Sequence, residues 1–442
     1  MRIQEVERTR NLLDFIRESP TAFHAVESIT RRLDAAGFCR LSESEAWDLT
    51  PGIGYYVTRN QSSVISFRVP REAPQSFMIM ASHTDSPMFK VKSTSEAVSC
   101  NRYVRLNTEA YGSTILSSWM DRPLSLAGRV ILCRDGNFSA KTVKIDRDLL
   151  LIPSVAIHMN RSVNAGYAYN PAVDTLPLIA EQGNETFSLK AFLAKELACA
   201  PEEIADMDLY VVCRTDGSIW GANGEYFSAP RIDNLMCAYG TLCGFLESDG
   251  ASDTVAVYFA ADNEETGSAT KQGAGSVFLS DVLDRVCETL GVDKRRLLAS
   301  SMMVSADNAH AKHPNHPELS DAQNAPVVGG GVVIKTNAAQ KYATDGVSAA
   351  LFAEICARAS VPVQYYANRS DQPGGSTLGS ISNTHVPLIT VDIGMAQLAM
   401  HSAHETAGVA DTEHLCRASR AFYNSKLTAL SDGEYRLMCG DI

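Results

Sequence analysis

The feature that most constrains the fold is an uninterrupted run of apolar residues and β-formers from Thr254 to Ala261. A run of this length and composition predicts a strand buried on both faces, as in a parallel sheet covered by helices. The run ends in Asp262-Asn263-Glu264-Glu265-Thr266-Gly267, so two adjacent carboxylates follow the strand in a glycine-containing loop. Two interpretations of this pair are open: solvated acids of a surface loop, or acids that share a buried site with a divalent metal.

The composition is that of an ordinary globular protein. The 442 residues allow more than one domain, and hydrophobic residues make up 45% and charged residues 20%. The net charge of −12 argues against nucleic acid or an anionic membrane as the main partner. Eleven cysteines without a Cys-x-x-Cys pair are typical of reduced thiols, and the first residues have no apolar signal core. We therefore expect a cytoplasmic protein in which any metal is bound by His, Asp and Glu.

Regions with different patterns of apolar and turn-forming residues predict the domain organisation. Residues 1–93 and 226–442 alternate helices with apolar strands, which is typical of an α/β domain with a mixed sheet. Residues 94–225 hold short alternating segments separated by turn signals, and they predict an inserted β-rich domain. Local patterns of apolar residues predict helices over 20–36, 187–198 and 411–430, and a strand over 297–305.

Residues able to bind metal recur just past the ends of the apolar strands. His83 and Asp85 follow one strand, and their spacing places both on the same side of an extended segment. Asp307 and His401 each follow a later strand. Asp233 opens a predicted helix, where a helix N-cap is the alternative interpretation. Because ligands of α/β sheets bind at the carboxyl ends of the strands, we expect these residues to meet at one edge.

The two histidines and three of the carboxylates suit a pair of divalent ions, with zinc favoured and manganese or cobalt as alternatives. A two-metal site needs one bridging carboxylate and terminal ligands on each ion. The hypothesis assigns Asp233 as the bridge. His83 and Asp307 then bind one ion, and Glu265 and His401 bind the other.

One glutamate of the pair remains for proton transfer. Glu264 is assigned as the base that takes a proton from the metal-bridging water and returns it to the leaving amine. Asp85 is assigned as the carboxylate that orients the ring of His83.

The motifs that carry these residues closely resemble the aspartyl aminopeptidase family of dinuclear zinc metallo-aminopeptidases. The resemblance runs in order over nearly the whole chain, and it rests on His83-Thr84-Asp85-Ser86-Pro87, Arg231-Ile232-Asp233-Asn234, Asp262-Asn263-Glu264-Glu265-Thr266-Gly267-Ser268, Ser305-Ala306-Asp307-Asn308-Ala309-His310 and Gln397-Leu398-Ala399-Met400-His401-Ser402. It implies a zinc-peptidase-like catalytic domain, the metal and base roles given above, and peptide substrates whose N-terminal residue is Asp or Glu.

The resemblance also implies self-association. The inserted domain at 94–225 resembles one that dimerises, and assemblies in the family are typically tetrahedral homododecamers. His158 stands in an apolar segment of that domain, where a structural histidine is the default interpretation. The resemblance instead implies that His158 reaches the active site of a partner subunit.

Further residues are candidates for substrate contacts. His310 and His313 match family histidines near the substrate. Lys335 ends a predicted strand and is a candidate partner for an acidic substrate side chain, with an unengaged edge lysine as the alternative. Gly375 and Ser376 lie in a glycine-rich loop that we expect to offer backbone donors to the substrate.

Two other functions are alternatives to an aminopeptidase. A related di-metal deacylase or dipeptidase would use similar chemistry on a different amide, and a comparison of aminoacyl with N-acyl substrates separates the two. A catalytically silent assembly protein should have lost a ligand or the base, and every expected residue is present in this chain. The sequence therefore favours the aminopeptidase.

Overall fold

The computed structural model describes residues 3–183, 186–375 and 377–440. The chain folds into two compact units. The first unit runs up to Asp85, resumes over Gly217–Met400 and continues from Glu405 onward. The second unit comprises Ser86–Asp216 and His401–His404. It thus begins and ends earlier than the 94–225 expected for an inserted domain, and it includes a short later return of the chain.

The described residues form helices in both units. In chain order they are α1 Ile3–Glu18, α2 Ala22–Ala35, α3 Leu189–Leu197, α4 Ile232–Glu247, α5 Phe278–Leu290, α6 Lys294–Ala299, α7 Gly346–Arg358, α8 Leu378–Ser382 and α9 Val409–Tyr423. No helix in the described ranges has both the length and the apolar character required to cross a membrane.

The strands of the described residues form three sheets. In chain order they are β1 Cys39–Arg40, β2 Gly54–Arg59, β3 Ser63–Arg68, β4 Ser76–His83, β5 Met88–Ser99, β6 Tyr103–Tyr111, β7 Leu124–Arg134, β8 Asn137–Lys144, β9 Leu178–Glu181, β10 Ile204–Cys213, β11 Ser218–Trp220, β12 Tyr226–Ala229, β13 Thr254–Ala261, β14 Met302–Ala306, β15 Ala309–His310, β16 Val332–Thr336, β17 Val363–Ala367, β18 Ile389–Leu398, β19 Glu405–Gly408, β20 Ser425–Ser431 and β21 Glu434–Cys439.

The first unit is built on a mixed sheet. Its centre is the parallel row β13-β4-β14-β18. The neighbours β3 and β16 join that row in antiparallel orientation. The α/β fold class with a mixed sheet is therefore confirmed. The parallel row directs the carboxyl ends of its strands to the same edge, where ligands of such sheets bind.

The central strands are apolar because both of their faces are covered. In β4, Met78 and Met80 pack into one core, together with residues of α1, α2, α4 and α9. The alternate residues Phe77 and Ile79 pack into a second core with residues of α5 and α8. Fully burying such a side chain stabilises the fold by about 1.5–3 kcal/mol. The run of eight buried residues in β4 thus fixes the position of His83, its last residue.

The second unit is built on a six-stranded antiparallel sheet of order β8-β7-β10-β5-β6-β9, with its own apolar core. Gly128 in β7 has φ +153, and a Cβ there would lie 2.0 Å from the carbonyl oxygen of Asp208 in β10. Only glycine allows that approach. A loop of this unit exposes apolar side chains, including Val155, Ile157 and Met159.

Some expectations from the sequence were wrong in detail. The strand expected over 297–305 is divided between α6 and β14, because Asp293 caps a helix that takes in Leu297. The helix expected over 411–430 ends at Tyr423, and the chain continues as the hairpin β20–β21. The second helix begins at Ala22 rather than at residue 20.

Candidate metal centre

Adjacent strand ends bring the candidate ligands of the first unit together. β4 and β13 pair in parallel, with His83 opposite Ala261, so both strands end at the same level. The chain beyond β13 turns at Asn263, which has φ 60, and enters a short helical turn that carries Glu264 and Glu265. Asp307 follows β14, on the other side of β4.

The ring of His83 lies at the centre of this group and is 1% exposed. Its Nε2 is 3.5 Å from Oδ1 of Asp307, 3.6 Å from Oδ1 of Asp233 and 4.0 Å from Oε2 of Glu264. These distances are longer than ordinary hydrogen bonds. On the other side of the ring, Nδ1 donates to the carbonyl oxygen of Asp85 at 3.1 Å, which fixes the ring orientation.

Asp85 connects His83 with the glutamate pair. Its Oδ1 lies 3.3 Å from Nδ1 of His83 and accepts from the backbone N–H of Glu264 at 3.2 Å. Its Oδ2 accepts from the backbone N–H of Glu265 at 3.2 Å. One buried carboxylate therefore sets both the imidazole and the turn that carries the two glutamates.

The cluster is strongly acidic for a buried site. Burial, together with the charges of Asp307 and Asp85, raises the pKa of Glu264 to about 8. Burial and the charge of Asp233 likewise raise the pKa of Glu265 well above its ordinary value. Each of these shifts reports that another negative charge is costly here without added positive charge.

Lys335 supplies positive charge from within the chain. Its ammonium is buried, donates to the carbonyl oxygen of Asp307 at 2.7 Å, and lies 3.5 Å from Oδ2 of the same residue. Burial works to raise the pKa of Asp307, but Lys335 and His83 outweigh it and hold that pKa below its ordinary value. Asp307 is therefore ionised, whereas the glutamates resist ionisation.

The residues of the centre fit a divalent metal. One ligand atom each of His83, Asp233 and Asp307 lies within 4.8 Å of the others, and the same holds for His83, Glu264 and Glu265. Nε2 of His83 is buried and makes no hydrogen bond within the described residues. An imidazole nitrogen facing several crowded carboxylates is a donor set suited to zinc, manganese or cobalt. A bound cation would relieve the repulsion that raises the glutamate pKa values.

Two predicted residues lie in the second unit. His401 has φ 68, and its Nδ1 donates to the carbonyl oxygen of Ser113 at 2.8 Å. A backbone contact of this kind through one ring nitrogen is the usual partner of a histidine that binds metal through the other. His158 lies in an exposed turn.

Three of the other predicted substrate contacts are surface residues. His310 and His313 are exposed, and the ring of His310 lies 6.1 Å from that of Tyr366. Gly375 is exposed, and a Cβ there would meet nothing within 4 Å, so no close backbone approach requires glycine at that position. Ser376 lies outside the described residues.

The structure adds residues that sequence patterns did not indicate. Tyr342 is buried, with its ring 5.0 Å from the ammonium of Lys335. Burial and the charge of Asp307 raise its pKa. Asp262 is also buried, and burial with the charge of Asp85 raises its pKa to about 7. A buried acid next to the glutamate pair could have been noted from its position after β13, but nothing in the loop around Tyr342 signals its contact.

A mixed α/β sheet with a buried histidine and several acids at its carboxyl edge is typical of a metal-binding α/β protein. The comparisons with known proteins give the family. The chain belongs to the aminopeptidase I zinc metalloproteases (M18), whose family model matches residues 15–423. It is therefore a metallo-aminopeptidase, and the resemblance inferred from the motifs is confirmed at this level.

The relatives match along nearly their whole length. The chain is 43% identical over 430 residues to the "Probable M18 family aminopeptidase 2" of Clostridium acetobutylicum, covering 95% of this chain and 99% of that protein. It is 39% identical over 422 residues to the protein of the same description from Pseudomonas putida, covering 94% and 97%.

Solved structures share the fold. Ape4 in its complex with Nbr1 has a TM-score of 0.91 at 34% identity, covering 95% of this chain and 86% of that one. The S. cerevisiae mApe1 dodecamer has a TM-score of 0.84 at 25% identity, covering 96% and 97%.

Proposed function

We propose that this metallo-aminopeptidase removes the N-terminal residue, preferentially Asp or Glu, from peptides with the help of two divalent metal ions. The observation that carries the proposal is the crowding of acids around Nε2 of His83, with carboxylate oxygens of Asp233 and Asp307 at 3.6 and 3.5 Å. The family supports metal-dependent aminopeptidase chemistry.

The ligands are assigned as the sequence predicted. Asp233 would be shared by the two ions, His83 and Asp307 would hold one of them, and Glu265 and His401 would hold the other. When bound, two zinc ions would polarise the scissile carbonyl and lower the pKa of the attacking water.

Glu264 is the proposed general base. Its carboxylate takes a proton from the attacking water and returns it to the leaving amine, so the residue ends the cycle in its starting state. Asp85 supports this role by accepting the backbone N–H of Glu264, which fixes the turn without occupying the side chain.

The preference for an acidic N-terminal residue is assigned to positive charge near the centre. The buried ammonium of Lys335 lies behind Asp307. His310 and His313 follow Asp307 in the chain and are exposed toward solvent. Backbone donors of the loop at Gly375 and Ser376 are proposed to orient the substrate.

We also propose self-association through the second unit, in a tetrahedral homododecamer. The exposed apolar loop at Val155, Ile157 and Met159 supports an interface in this unit. The related mApe1 forms a dodecamer. His158 lies in the same loop and is proposed to reach the active site of a partner subunit.

The two glutamates give the direct test of the proposed chemistry. Glu264→Gln is expected to retain wild-type metal content while hydrolysis of Asp- and Glu-nitroanilides falls about 10²- to 10⁴-fold, because a general base is lost. Glu265→Gln is expected to lose metal as well as activity. Metal per chain is measured by elemental analysis, together with initial rates on Asp-, Glu-, Leu- and Lys-nitroanilides.

The outcomes separate the parts of the proposal. Unchanged hydrolysis by Glu264→Gln excludes it as the base, and equal rates on all four substrates exclude the acidic preference. Cleavage of an N-acetylated substrate would favour a deacylase, since an aminopeptidase requires a free amino group.

A further inference from the structure

A chain of buried polar side chains lies next to Asp233, and the proposed chemistry does not use it. Glu405, in β19, is 1% exposed and accepts the backbone N–H of Asp233 through Oε2 at 2.9 Å. Gln397, at the end of β18, is also 1% exposed, and its Nε2 donates to Oε1 of Glu405 at 3.3 Å. Both carboxylate oxygens of Glu405 therefore accept hydrogen bonds.

The chain continues to the segment that carries Asp307. Asn308 is buried, and its Nδ2 donates to Oε1 of Gln397 at 2.7 Å and to the carbonyl oxygen of Ile232 at 3.0 Å. The Sγ of Cys237 donates to Oδ1 of Asn308 at 3.1 Å. The network thus joins Ile232 and Asp233, at the start of α4, to the residue that follows Asp307.

The direction of every hydrogen bond in this network is fixed by its two ends. The carbonyl oxygen of Ile232 can only accept, so Asn308 must turn its Nδ2 toward it. Gln397 then has to present its oxygen to Asn308 and its amide hydrogens to residue 405. The backbone N–H of Asp233 can only donate, so residue 405 faces donors on both sides. A carboxylate, which accepts through both oxygens, meets this requirement; an amide cannot.

We propose that Glu405 is a positioning residue for the metal centre, which holds Asp233 directly and fixes it relative to Asp307 through Gln397 and Asn308. The inference rests on the proposed metal-binding roles of Asp233 and Asp307. Glu405 acts on the main chain of Asp233 and is not itself a ligand. Partners that orient metal ligands in this way typically contribute about 10- to 100-fold to metal affinity.

A single substitution at position 405 replaces one hydrogen-bond acceptor of the network with a donor. Glu405→Gln leaves one acceptor and adds an NH₂ group, so either the N–H of Asp233 or the amide of Gln397 faces another donor. Rotating the Gln397 amide does not help, because its nitrogen would then face Nδ2 of Asn308. We expect zinc affinity to fall about 10- to 100-fold.

An exchange of the two side chains restores the direction of the network. With Glu405→Gln and Gln397→Glu together, the new amide accepts from Asp233 and donates to the new carboxylate at position 397. The second oxygen of that carboxylate accepts from Asn308. Net charge is unchanged, so the exchange is expected to recover zinc affinity to within about threefold of wild type.

The matched control is Glu413→Gln in α9. Glu413 is buried in the same unit, and its carboxylate accepts from Arg8 and Gln4. Its loss removes charge-assisted hydrogen bonds without contact with the network. We expect a lower thermal midpoint and unchanged zinc affinity.

The experiment titrates metal-free protein with Zn²⁺ in competition with a chromophoric chelator, with folding checked by circular dichroism. Wild-type affinity in Glu405→Gln, or an exchange variant as weak as the single one, would overturn the inference. If Glu405→Gln does not fold, the zinc affinity of the folded exchange variant decides: a value within about threefold of wild type supports the inference, and a loss of about 10- to 100-fold overturns it. Wild-type protein that binds no zinc would instead refute the proposed function, independently of the variants.

Discussion

At the scale of single residues, the contact of Lys335 with Asp307 limits how the lysine ammonium can act on a substrate. Its Nζ lies 2.7 Å and 3.5 Å from oxygens of Asp307 and 3.4 Å from the carbonyl oxygen of Asn308. Burial alone would lower the pKa of this lysine, but the charge of Asp307 outweighs burial and raises it. The ammonium is therefore charged and is surrounded by acceptors of its own chain, so the proposed effect on a substrate would have to act through its field.

The field of Lys335 predicts a selective loss. Lys335→Met is expected to lower kcat/KM for Asp-nitroanilide about tenfold more than for Leu-nitroanilide. A charge pair about 10 Å apart at an effective dielectric constant of about 20 contributes about 1.7 kcal/mol, and about 1.4 kcal/mol corresponds to a factor of ten. Steady-state kinetics on both substrates measure the ratio.

The matched control for this prediction is Lys341→Met. Lys341 is exposed in a loop of the same unit. Its replacement also removes one positive charge, but from a side chain that water surrounds. We expect the ratio of the two substrates to stay at its wild-type value. Equal losses on both substrates in Lys335→Met would show that the ammonium serves only the integrity of Asp307.

The sequence predicts the candidate metal ligands better than it predicts the side chains that contact and support those ligands. His83, Glu264 and Asp307 could be selected because each ends or follows a buried strand, and parallel strands end at one edge. The engagement of Lys335 by Asp307 and the support of Asp233 by Glu405 could not, because residues distant in the chain make those contacts. Spacing along the chain carries no information about such pairs.

At the scale of elements, α4 and α9 approach each other through small residues. A Cβ on Gly244 would lie 2.3 Å from Cβ of Ser419 and 2.6 Å from the backbone nitrogen of Arg420. At Gly240 it would lie 2.5 Å from a methyl of Leu415. At these two positions α4 therefore contributes no side-chain volume to its contact with α9, and this close contact places the helix that starts beside Asp233.

Gly244→Ala is expected to destabilise the protein. Alanine favours a helix over glycine by about 1 kcal/mol, but overpacking a core contact costs about 1–3 kcal/mol. Part of this contact is with backbone, which cannot rotate away, so we expect the clash to prevail and the thermal midpoint to fall.

Gly346→Ala in α7 serves as the control. A Cβ there meets nothing within 4 Å, so the helix preference of alanine is expected to act alone and leave the midpoint unchanged or higher. Differential scanning calorimetry on both variants makes the comparison. A Gly244→Ala variant as stable as Gly346→Ala would contradict the packing described for α4 and α9.

Sequence patterns predict strands best where every residue of the strand is buried. β4 and β13 are buried along their whole length and mostly apolar because cores cover both faces, and no helix competes for so short a run. The expected strand over 297–305 was wrong because an apolar run does not distinguish the end of one helix from the start of a strand. The late hairpin β20–β21 was missed because its outer residues are exposed and weakly patterned.

At the scale of the whole molecule, the acidic centre makes stability depend on pH when metal is absent. Burial raises the pKa of Glu264 from 4.5 to about 8 in the folded protein. Between these values the folded state keeps a proton that the unfolded state has released. The metal-free protein should therefore lose stability as pH rises from about 4.5 to about 8.

Thermal unfolding in excess chelator tests this dependence. The midpoint of wild type is expected to fall relative to that of Glu264→Gln across the same pH range, because the amide does not titrate. The thermal midpoint of the zinc-bound protein should instead rise with pH at the acidic end of this range, since its ligands bind metal only when deprotonated. Parallel curves for the metal-free wild type and variant would exclude this contribution of Glu264.

Assembly is tested at the exposed loop of the second unit. Met159 is 83% exposed, and Met159→Asp is expected to shift the protein toward smaller species in multi-angle light scattering, because a charge would be buried in the interface. His158→Phe is expected to keep both the assembly and the bound metal while hydrolysis falls. Full activity of an intact His158→Phe assembly would remove the proposed role across subunits.

The path of the chain between the two units has a consequence for its synthesis. The second unit consists of Ser86–Asp216 and His401–His404, and Ala403 from the later segment is 2% exposed in its core. A ribosome that has just completed residue 216 has therefore not yet made the last piece of that core. The core of the second unit is completed only after residues 217–400 of the first have been made, and a fragment of residues 86–216 lacks the part of that core that Ala403 supplies.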